Sequence, residues 1–345
     1  MSADDLGGVR AAFSDQARSC RDLGSVLTAQ IMETLGTALQ ADQGAVARRV
    51  LDWPGDTSSR GASVPLRLAG ALHAQVLLGQ APALAAAYAK GEAPAALLLQ
   101  TIAAHEAEIL AWLNQTPQTN EVGRAAALIA GACFALVQLG TPLPLALREL
   151  GASAGLNLNF PDYTIDCHGS SEPPAMLSPD WRGEVPPQIA LVAPNRRGVD
   201  LHPVDITDPT RLRAYIWPDQ PQRLARLDAA LAHARTHPPQ VDEGDAGAWL
   251  DQQRLAHPGL LTLVYHTIAH QYFPPEVQAR IARRLSETGR QATADAPLAR
   301  LAMEADDTPG NAALELDLWD GQHRRWRLGR ADFHGRWIDW RPEAI

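Results

Sequence analysis

The stretch of the sequence best suited to binding a ligand is a turn of small residues behind a short apolar run. The run Leu145 to Leu150 has strand length, and it leads directly into the turn Gly151-Ala152-Ser153-Ala154-Gly155. Glycines at both ends of this turn remove the side chains that would keep a ligand away from the backbone. The segment that follows is expected to present unpaired backbone amides, so we expect a polar, partly anionic cofactor here.

A second candidate stretch, YHTIAHQYF at residues 265–273, follows a later apolar run. Ligands of open α/β sheets bind at the carboxyl ends of strands, beside the point where the strand order reverses. We expect that point between these two strands, which brings the two stretches together. His266, Gln271 and Tyr272 are then candidates for orienting an acceptor or taking its proton. His270 lies four residues after His266, but no third ligand is evident, and no metal site is predicted.

A cluster of polar residues precedes the most apolar helix of the chain. Asn120 is expected to be the N-cap of this helix, and Glu121 is the acidic residue that favours its first turn. Gln118 and Arg124 have no such explanation. Because the helix leads through a short loop into the strand before Gly151, we expect these four polar residues to reach the same end of the sheet and to bind substrate.

Composition restricts the possible partners and compartment. The chain has 345 residues, 46% of them hydrophobic, and a formal net charge of −9, which would repel a phosphate backbone and argues against nucleic acid as a partner. Three cysteines in no CxxC arrangement predict neither a disulfide framework nor a zinc site, and they fit a cytoplasmic protein. The uncharged stretch 125–139 is mostly alanine and is predicted to be a buried helix, not a membrane span. The oligomeric state is not indicated.

The periodicity of apolar residues predicts two domains. Residues 1–140 show apolar spacings of three and four, which predict an all-α helical domain. Residues 141–345 alternate short apolar runs with amphipathic helices, as in an α/β domain with a Rossmann-like, mostly parallel sheet. Within it, the proline-rich segment 161–195 is predicted to be an insertion or lid. Alternating residues on both sides of Asp320-Gly321 predict a C-terminal antiparallel hairpin.

Motifs in a fixed order connect the chain with a known family. They are QTNEVGRAAAL, ELGASAGLNL, RRGVDLHPVDITD, AYIWPDQPQRLARLDAAL, VYHTIAHQYFP and FHGRWIDW, and they span nearly the whole length. Together they resemble the bacterial domain-of-unknown-function family 2332. The second half is also similar to Rossmann-like class I S-adenosylmethionine methyltransferases. The latter resemblance implies that the protein binds S-adenosylmethionine and methylates a small molecule or an exposed protein group.

The methyltransferase resemblance also implies roles for individual residues. Asp200 has the position of the acid that accepts both ribose hydroxyls of the cofactor, with Asp166 as a weaker alternative. Asp245 has the position beside the adenine amino group, and Ala246 leaves room for the flat ring, although Asp245 is equally plausible as a helix N-cap. The cofactor-binding residues implied in this way are Glu149, Gly151, Ala152, Ser153, Gly155, Asp200, Asp245 and Ala246.

Two alternatives from other functional classes remain open. Residues 151–155 also fit the G-x-S-x-G nucleophile elbow of α/β-hydrolases, with Ser153 as nucleophile, Asp306 or Asp317 as acid and His334 as base. A long helical region precedes this turn, however, and no motif for the oxyanion loop is present. The second alternative is a non-catalytic binding or assembly module that keeps the fold without a cofactor.

Overall fold

A computed structural model describes the chain at residues 3–168 and 176–345. Its contacts group into two compact units, which are residues 1–119 with 207–225 and residues 120–206 with 226–345. The first unit is helical and the second is α/β, so the predicted fold class is confirmed. Part of the predicted insertion, residues 169–175, lies outside the described residues.

The helical unit consists mainly of consecutive amphipathic helices. They are α1 (Ala3–Asp22), α2 (Val26–Ala38), α3 (Ala45–Leu51), α4 (Val64–Leu77), α5 (Pro82–Ala89), α6 (Ala95–Ala104) and α7 (Glu106–Leu113). Their apolar faces share one core that includes Phe13, Leu35, Leu68 and Leu72, because residues three and four apart lie on one side of a helix. This shared core explains why the spacing of apolar residues predicts the helices.

The apolar spacing over residues 94–113 predicts one helix, but the structure has two here. Helices α6 and α7 meet at an angle of 89°. At the bend, the carboxylate of Glu106 accepts a hydrogen bond of 2.5 Å from the backbone N–H of Ala45, at the start of α3. Helix α3 was not predicted. The contact joins residues far apart in sequence, so apolar periodicity alone does not reveal it.

The α/β unit is a mixed sheet with helices on both faces. Its strands are β1 (Leu145–Leu150), β2 (Asp180–Gly183), β3 (Asn195–Asp200), β4 (Val241–Glu243), β5 (Leu261–Thr267), β6 (Leu298–Ala305), β7 (Ala312–Trp319), β8 (His323–Ala331) and β9 (Trp337–Ala344). The remaining helices are α8 (Ala125–Leu139), α9 (Thr210–Ala214), α10 (Pro221–Thr236), α11 (Ala246–Gln252) and α12 (Pro275–Gly289), of which α9 belongs to the helical unit.

The strand order shows where a ligand site should lie. Across the described residues, the order is β2-β9-β8-β7-β6-β5-β1-β3-β4. Strands β4, β3, β1, β5 and β6 are parallel, whereas β6 to β9 form an antiparallel meander and β2 pairs parallel to β9. The order reverses between β1 and β5, as the sequence predicts, and every residue of these two strands is buried. Their carboxyl ends therefore form the switch point of the sheet.

Apolar side chains cover the two faces of the sheet in different ways. On one face, Ile281 and Leu285 of α12 pack with Val264 and Leu298 in a buried cluster. On the other face, Gly131 of α8 lets the sheet approach closely, since a Cβ there would lie 2.6 Å from Cδ1 of Leu301. The segment Val122–Leu139 is long and apolar enough to cross a membrane, but 72% of it is buried inside the protein. The prediction of a buried helix at 125–139 is confirmed.

The boundary between the two units lies earlier than the predicted residue 140. Helix α8 belongs to the α/β unit, because its small residues pack on the sheet. Residues 207–225 belong to the helical unit. There Nδ1 of His73 lies 3.2 Å from the carbonyl oxygen of Ala214, and the indole N–H of Trp112 donates a hydrogen bond of 3.0 Å to the hydroxyl of Tyr215.

The structure corrects two further predictions in the α/β unit. The α/β pattern predicts a helix over residues 154–160, but this segment is a short 3₁₀ helix, Leu156–Asp162, whose Pro161 lacks the N–H that an α-helix interior requires. The segment predicted as an insertion or lid contributes β2 to the sheet, beside β9. Only four residues make up β2, and it has no clear apolar alternation, which is why it resembles a loop in the sequence.

Candidate functional site

The loops after β1 and β5 touch at the switch point of the sheet. Gly151 has φ +73°, and a Cβ at this position would lie 2.5 Å from Cβ of Ala269, so the site requires glycine on both conformational and steric grounds. The predicted juxtaposition of the two stretches is therefore observed. The close approach shows that the glycine turn serves the packing of the two loops against each other.

The backbone amides of the glycine loop already have partners within the protein. The N–H groups of Gly151 and Ala152 donate to the carbonyl of Val199, and that of Gly155 donates to Ala152. The expectation of unpaired amides is therefore wrong at these positions. It is also wrong at two further positions, since Ser153 N–H donates to Asp200 Oδ2 and Leu156 N–H to Asn120 Oδ1, each at 2.8 Å.

Asp200 lies at the end of β3 and anchors the glycine loop. Its two carboxylate oxygens accept hydrogen bonds from the backbone N–H groups of Ser153 and His202, at 2.8 and 3.0 Å. The structure thus places the predicted ribose acid beside the loop. Asp166, the weaker alternative, accepts a hydrogen bond from the N–H of His168.

Asp245 begins helix α11. Its carboxylate accepts a 2.8 Å hydrogen bond from the N–H of Ala248, so the alternative role as N-cap is the one that the structure shows. Ala246, which follows it, is buried at the first helical position. One hydrogen bond leaves further acceptor positions on a carboxylate, so capping does not preclude a ligand contact.

Glu149 is a buried carboxyl group beneath the loop. The hydroxyl of Tyr265 lies 3.5 Å from Oε2 of Glu149 and donates more closely, at 3.2 Å, to the carbonyl of Asn157. Burial raises the pKa of Glu149 well above its usual range, although the hydrogen bond from Tyr265 acts in the opposite direction. Burial therefore favours the neutral form of this carboxyl group more than it would at the surface.

Backbone strain occurs on both sides of the switch point. Among the described residues, three that are not glycine have positive φ, and two of them are Ser153 at 53° and Ile268 at 51°. A β-branched residue such as Ile268 is rarely found in this conformation. Ser153 is 5% exposed, and its hydroxyl has no hydrogen-bond partner among the described residues. Strain of this kind costs about 1–3 kcal/mol per residue and often marks functional sites.

His266 and Glu304 form a buried dyad at the ends of β5 and β6. Nδ1 of His266 lies 2.7 Å from Oε1 of Glu304, which also accepts 3.1 Å hydrogen bonds from the N–H groups of Ala269 and His270. Burial acts to raise the pKa of Glu304, but the interaction with His266 and the two backbone hydrogen bonds lower it below its usual value. In the neutral imidazole, an ionised Glu304 favours the proton on Nδ1, which leaves Nε2 of His266 as an acceptor.

A pocket of about 540 Å³ lies beside this dyad, and His266 is part of its lining. Nε2 of His266 is buried without a hydrogen-bond partner in the described part of the chain. Helix α12 forms one wall, and side chains of β6, β7 and β8 form the other. The volume is within the range of small-molecule sites. The arrangement can therefore place a proton acceptor against a bound small molecule.

The other candidates after β5 differ in accessibility. The imidazole of His270 stacks on that of His266, with ring centroids 4.8 Å apart. Burial lowers the pKa of His270 to about 4, so His270 is neutral at physiological pH. Gln271 and Tyr272 are exposed, Tyr272 by 58%, and they lie on the short 3₁₀ helix that follows. Of the predicted catalytic residues, only His266 combines burial, an orienting partner and a pocket.

Three of the predicted substrate-binding residues lie near the loops in the α/β unit. Asn120 binds the N–H of Leu156, as described above, and the guanidinium of Arg124 donates to the carbonyl of Thr267 at 3.0 Å. Glu121 caps the 3₁₀ helix Val122–Arg124 that leads into α8, because its side chain accepts from the N–H of Gly123, so the N-cap assignment of Asn120 is wrong. Gln118 belongs to the helical unit.

The residues of the hydrolase alternative are not assembled into a triad. The hydroxyl of Ser153 has no hydrogen-bond partner among the described residues, and this includes His334. Asp306 forms a bidentate pair with Arg330, and Asp317 pairs with Arg300, His323 and Arg325. Ser153 does have the positive φ that is typical of the serine in a nucleophile elbow.

Glu304 is the functional candidate that sequence reasoning missed. The alternation of β6 places Arg300, Ala302 and Glu304 on one face, and His266 of β5 is in register with Ala302. A glutamate near the carboxyl end of the strand next to β5 was thus a detectable signal.

The sequence also predicts no metal site around His266 and His270. Residues 3–168 and 176–345 contain no group of three or more His, Cys, Asp or Glu side chains arranged to hold a metal ion.

Comparisons with known proteins identify a family. A family model described as "Uncharacterized protein conserved in bacteria (DUF2332)" matches residues 10–340. No curated protein and no solved structure matches the chain. The match spans nearly the whole sequence, in agreement with the ordered motifs. The description names no reaction, so the function must be inferred from the site.

Proposed function

The chain belongs to the bacterial DUF2332 family, and we propose that it is a methyltransferase that binds S-adenosylmethionine and methylates a small molecule or an exposed protein group. We further propose a cytoplasmic location, since the three cysteines are free and buried and suit a reducing compartment. Nucleic acid is not the proposed substrate, because the net charge is −9.

The observation that supports this proposal best is the arrangement at the switch point. The loop after β1 contacts the acid at the end of β3 and the loop after β5 there, and backbone strain lies on both sides. Open α/β sheets bind ligands at this position. Asp200 offers carboxylate acceptors for a vicinal diol, and the unpartnered hydroxyl of Ser153 is a polar group at the loop.

The occupied amides of residues 151–153, 155 and 156 limit how a cofactor would be held. The polar contacts in this proposal come from side chains, chiefly Asp200, Ser153 and Asp245, and the glycine loop allows close approach of its backbone. When bound, the cofactor supplies an activated methyl group. The residues of this chain align the acceptor, and His266, oriented by Glu304, accepts its proton.

Calorimetric titration with S-adenosylmethionine and S-adenosylhomocysteine tests the proposal. We expect the wild-type protein to bind both, and Asp200→Ala and Gly151→Val to weaken binding at least about tenfold, which corresponds to 1.4 kcal/mol. Gly140→Val is a matched control, because Gly140 has a similar φ of +67° but open space where a Cβ would lie. Absence of binding by the folded wild type would refute the proposal.

The same preparation separates the two alternatives. A serine hydrolase predicts that a fluorophosphonate probe labels Ser153, with Ser153→Ala as the unlabelled control. A binding or assembly module predicts neither cofactor binding nor turnover. Labelling of Ser153 without cofactor binding would replace the methyltransferase proposal with the hydrolase.

A further inference from the structure

The pocket beside His266 results from the way the chain connects β6 to β7. Only residues 306–311 join these strands, which is too short for a crossover helix, and the chain turns directly into the antiparallel meander. A strip of the sheet next to α12 is therefore not covered by a helix of its own. The pocket of about 540 Å³ lies on this strip.

One wall of the pocket is apolar and partly flat. Helix α12 contributes Ala279, Ile281, Ala282 and Leu285. On the other side, the flat imidazole of His323 lies in the lining and stacks on the indole of Trp319, with centroids 4.5 Å apart and planes 8° apart, and this indole also packs against Gly289 of α12. Apolar walls with a flat surface favour a ligand that is itself planar and largely apolar.

The charged side chains in the lining are already neutralised by each other. Arg300 donates to Asp317 at 2.8 Å, and Asp317 also lies 3.0 Å from Nε2 of His323. His266 is paired with Glu304, and His270 is neutral because burial lowers its pKa to about 4. A charged ligand group would have to compete with these pairs, so the pocket favours an uncharged ligand.

Nε2 of His266 is a polar atom of the lining that could recognise a ligand. It is buried and has no hydrogen-bond partner in the described part of the chain, in a residue that is 1% exposed and lines the pocket. A buried acceptor without a partner costs about 1–3 kcal/mol, which a ligand O–H group would recover. In the neutral imidazole, the bond from Nδ1 to Glu304 leaves Nε2 as an acceptor, which a ligand donor would satisfy.

We infer that this pocket binds an uncharged aromatic compound with a hydroxyl group, whose O–H donates a hydrogen bond to Nε2 of His266 while its ring packs against the apolar side chains of α12. The inference rests on the proposed function only in one respect, namely that this compound would be the methyl acceptor. Binding itself requires no cofactor, so it can be tested separately.

The test compares p-cresol with p-methylanisole, its methyl ether, which has the same ring but no donor. Ligand-observed NMR titrations give the two dissociation constants without S-adenosylmethionine. We expect the wild type to bind p-cresol about tenfold more tightly, the effect of one hydrogen bond to a buried acceptor. In His266→Phe, this preference should disappear while the ether still binds.

Further measurements keep the test decisive if His266→Phe does not fold. In the wild type, the nitrogen resonances of the His266 imidazole should move on addition of p-cresol and not of p-methylanisole. Ala282→Trp, at an exposed position in the pocket wall, should abolish binding of both compounds. Glu287→Trp is the control, because Glu287 is exposed on α12 and is not part of the lining.

Equal binding of the two compounds by the wild type, no binding of either, or a preference that survives in His266→Phe would overturn the inference. Failure of the proposed function has a different signature. If p-cresol binds as expected but S-adenosylmethionine does not, the pocket assignment stands and the methyltransferase proposal falls.

Discussion

The imidazole of His266 and the carboxylate of Glu304 are joined by a 2.7 Å hydrogen bond between Nδ1 and Oε1. The same oxygen of Glu304 holds the backbone N–H of Ala269, the residue against which Gly151 packs. One carboxylate thus orients the candidate base and fixes the loop at the switch point. Orientation of the base and conformation of the loop are therefore coupled through Glu304.

Glu304→Gln should destabilise the α/β unit at neutral pH by about 1.5–3 kcal/mol, because hydrogen bonds to a charged acceptor become bonds to a neutral amide. The folded-state pKa of Glu304 lies below its usual value of 4.5. Its contribution is therefore present above pH 4.5 and is lost as the pH falls through the folded-state pKa. Urea unfolding from pH 7 to pH 3 measures the effect.

The informative quantity is the difference in unfolding free energy between wild type and Glu304→Gln. This difference should shrink below pH 4.5. Glu315→Gln is a matched control, since Glu315 is a partly exposed partner of Arg300 on the neighbouring strand and should cost at most about 1 kcal/mol. A difference that stays constant with pH would show that Glu304 is not ionised in the folded protein.

Gly151→Ala should lower the free energy of unfolding more than Gly140→Ala does, although the two glycines have nearly the same φ, +73° and +67°. The positive φ costs a side chain about 1–2 kcal/mol at each position. At Gly151, the new Cβ also meets Ala269 at 2.5 Å, whereas nothing lies within 4 Å at Gly140. Overpacking adds about 1–3 kcal/mol. Equal losses of unfolding free energy would contradict the close approach of the two loops.

Local sequence patterns predicted much of the fold. Strand β1 matches its predicted bounds, and the runs 260–266 and 297–304 predict β5 and β6 with a displacement of one residue each. Continuous apolar runs identify buried parallel strands, and Asp320-Gly321 identifies the hairpin. Strand β2 and the bend between α6 and α7 were not predicted, because each depends on contacts with distant parts of the chain and not on local periodicity.

The candidate site was predicted in position but not in its contacts. Topology rules placed the residue 151 turn opposite residues 265–273, and the structure confirms this. The side chains of Asp200 and Asn120 accept hydrogen bonds from the loop amides. Sequence alone could not predict these bonds, because they depend on how distant segments of the chain meet in three dimensions. The pairing of Glu304 with His266 depends on strand register in the same way.

His73 should make the helical unit sensitive to acid. Burial lowers its folded-state pKa from 6.5 to about 4, against the hydrogen bond to the carbonyl of Ala214. Below pH 6.5 the unfolded chain therefore takes up a proton that the folded protein does not, and stability falls until about pH 4. A pKa shift of this size corresponds to a loss of roughly 3 kcal/mol in the free energy of unfolding over this pH range.

His73→Asn, which keeps a donor near the position of Nδ1, should remove this part of the acid dependence and lower stability at neutral pH through lost packing. Urea unfolding followed in the helical unit at pH 7, 5 and 4 gives the comparison. If wild type and variant lose stability in parallel over this range, His73 is not the group responsible.

Ser153→Gly should stabilise the α/β unit by about 2 kcal/mol, which is unusual for a substitution in a buried loop. Glycine relieves a φ of 53° and removes a buried hydroxyl without a partner, although it also raises the entropy of the unfolded chain. Ser63→Gly is the matched control, because Ser63 has a φ of 51° but its hydroxyl donates to the carbonyl of Ser59. Ser63→Gly should change stability by less than about 1 kcal/mol, since the lost hydrogen bond offsets the relieved strain.

Greater stability of Ser153→Gly together with weaker cofactor binding would show that the strained serine is retained for function. A loss of stability would mean that the hydroxyl of Ser153 has a partner in solution.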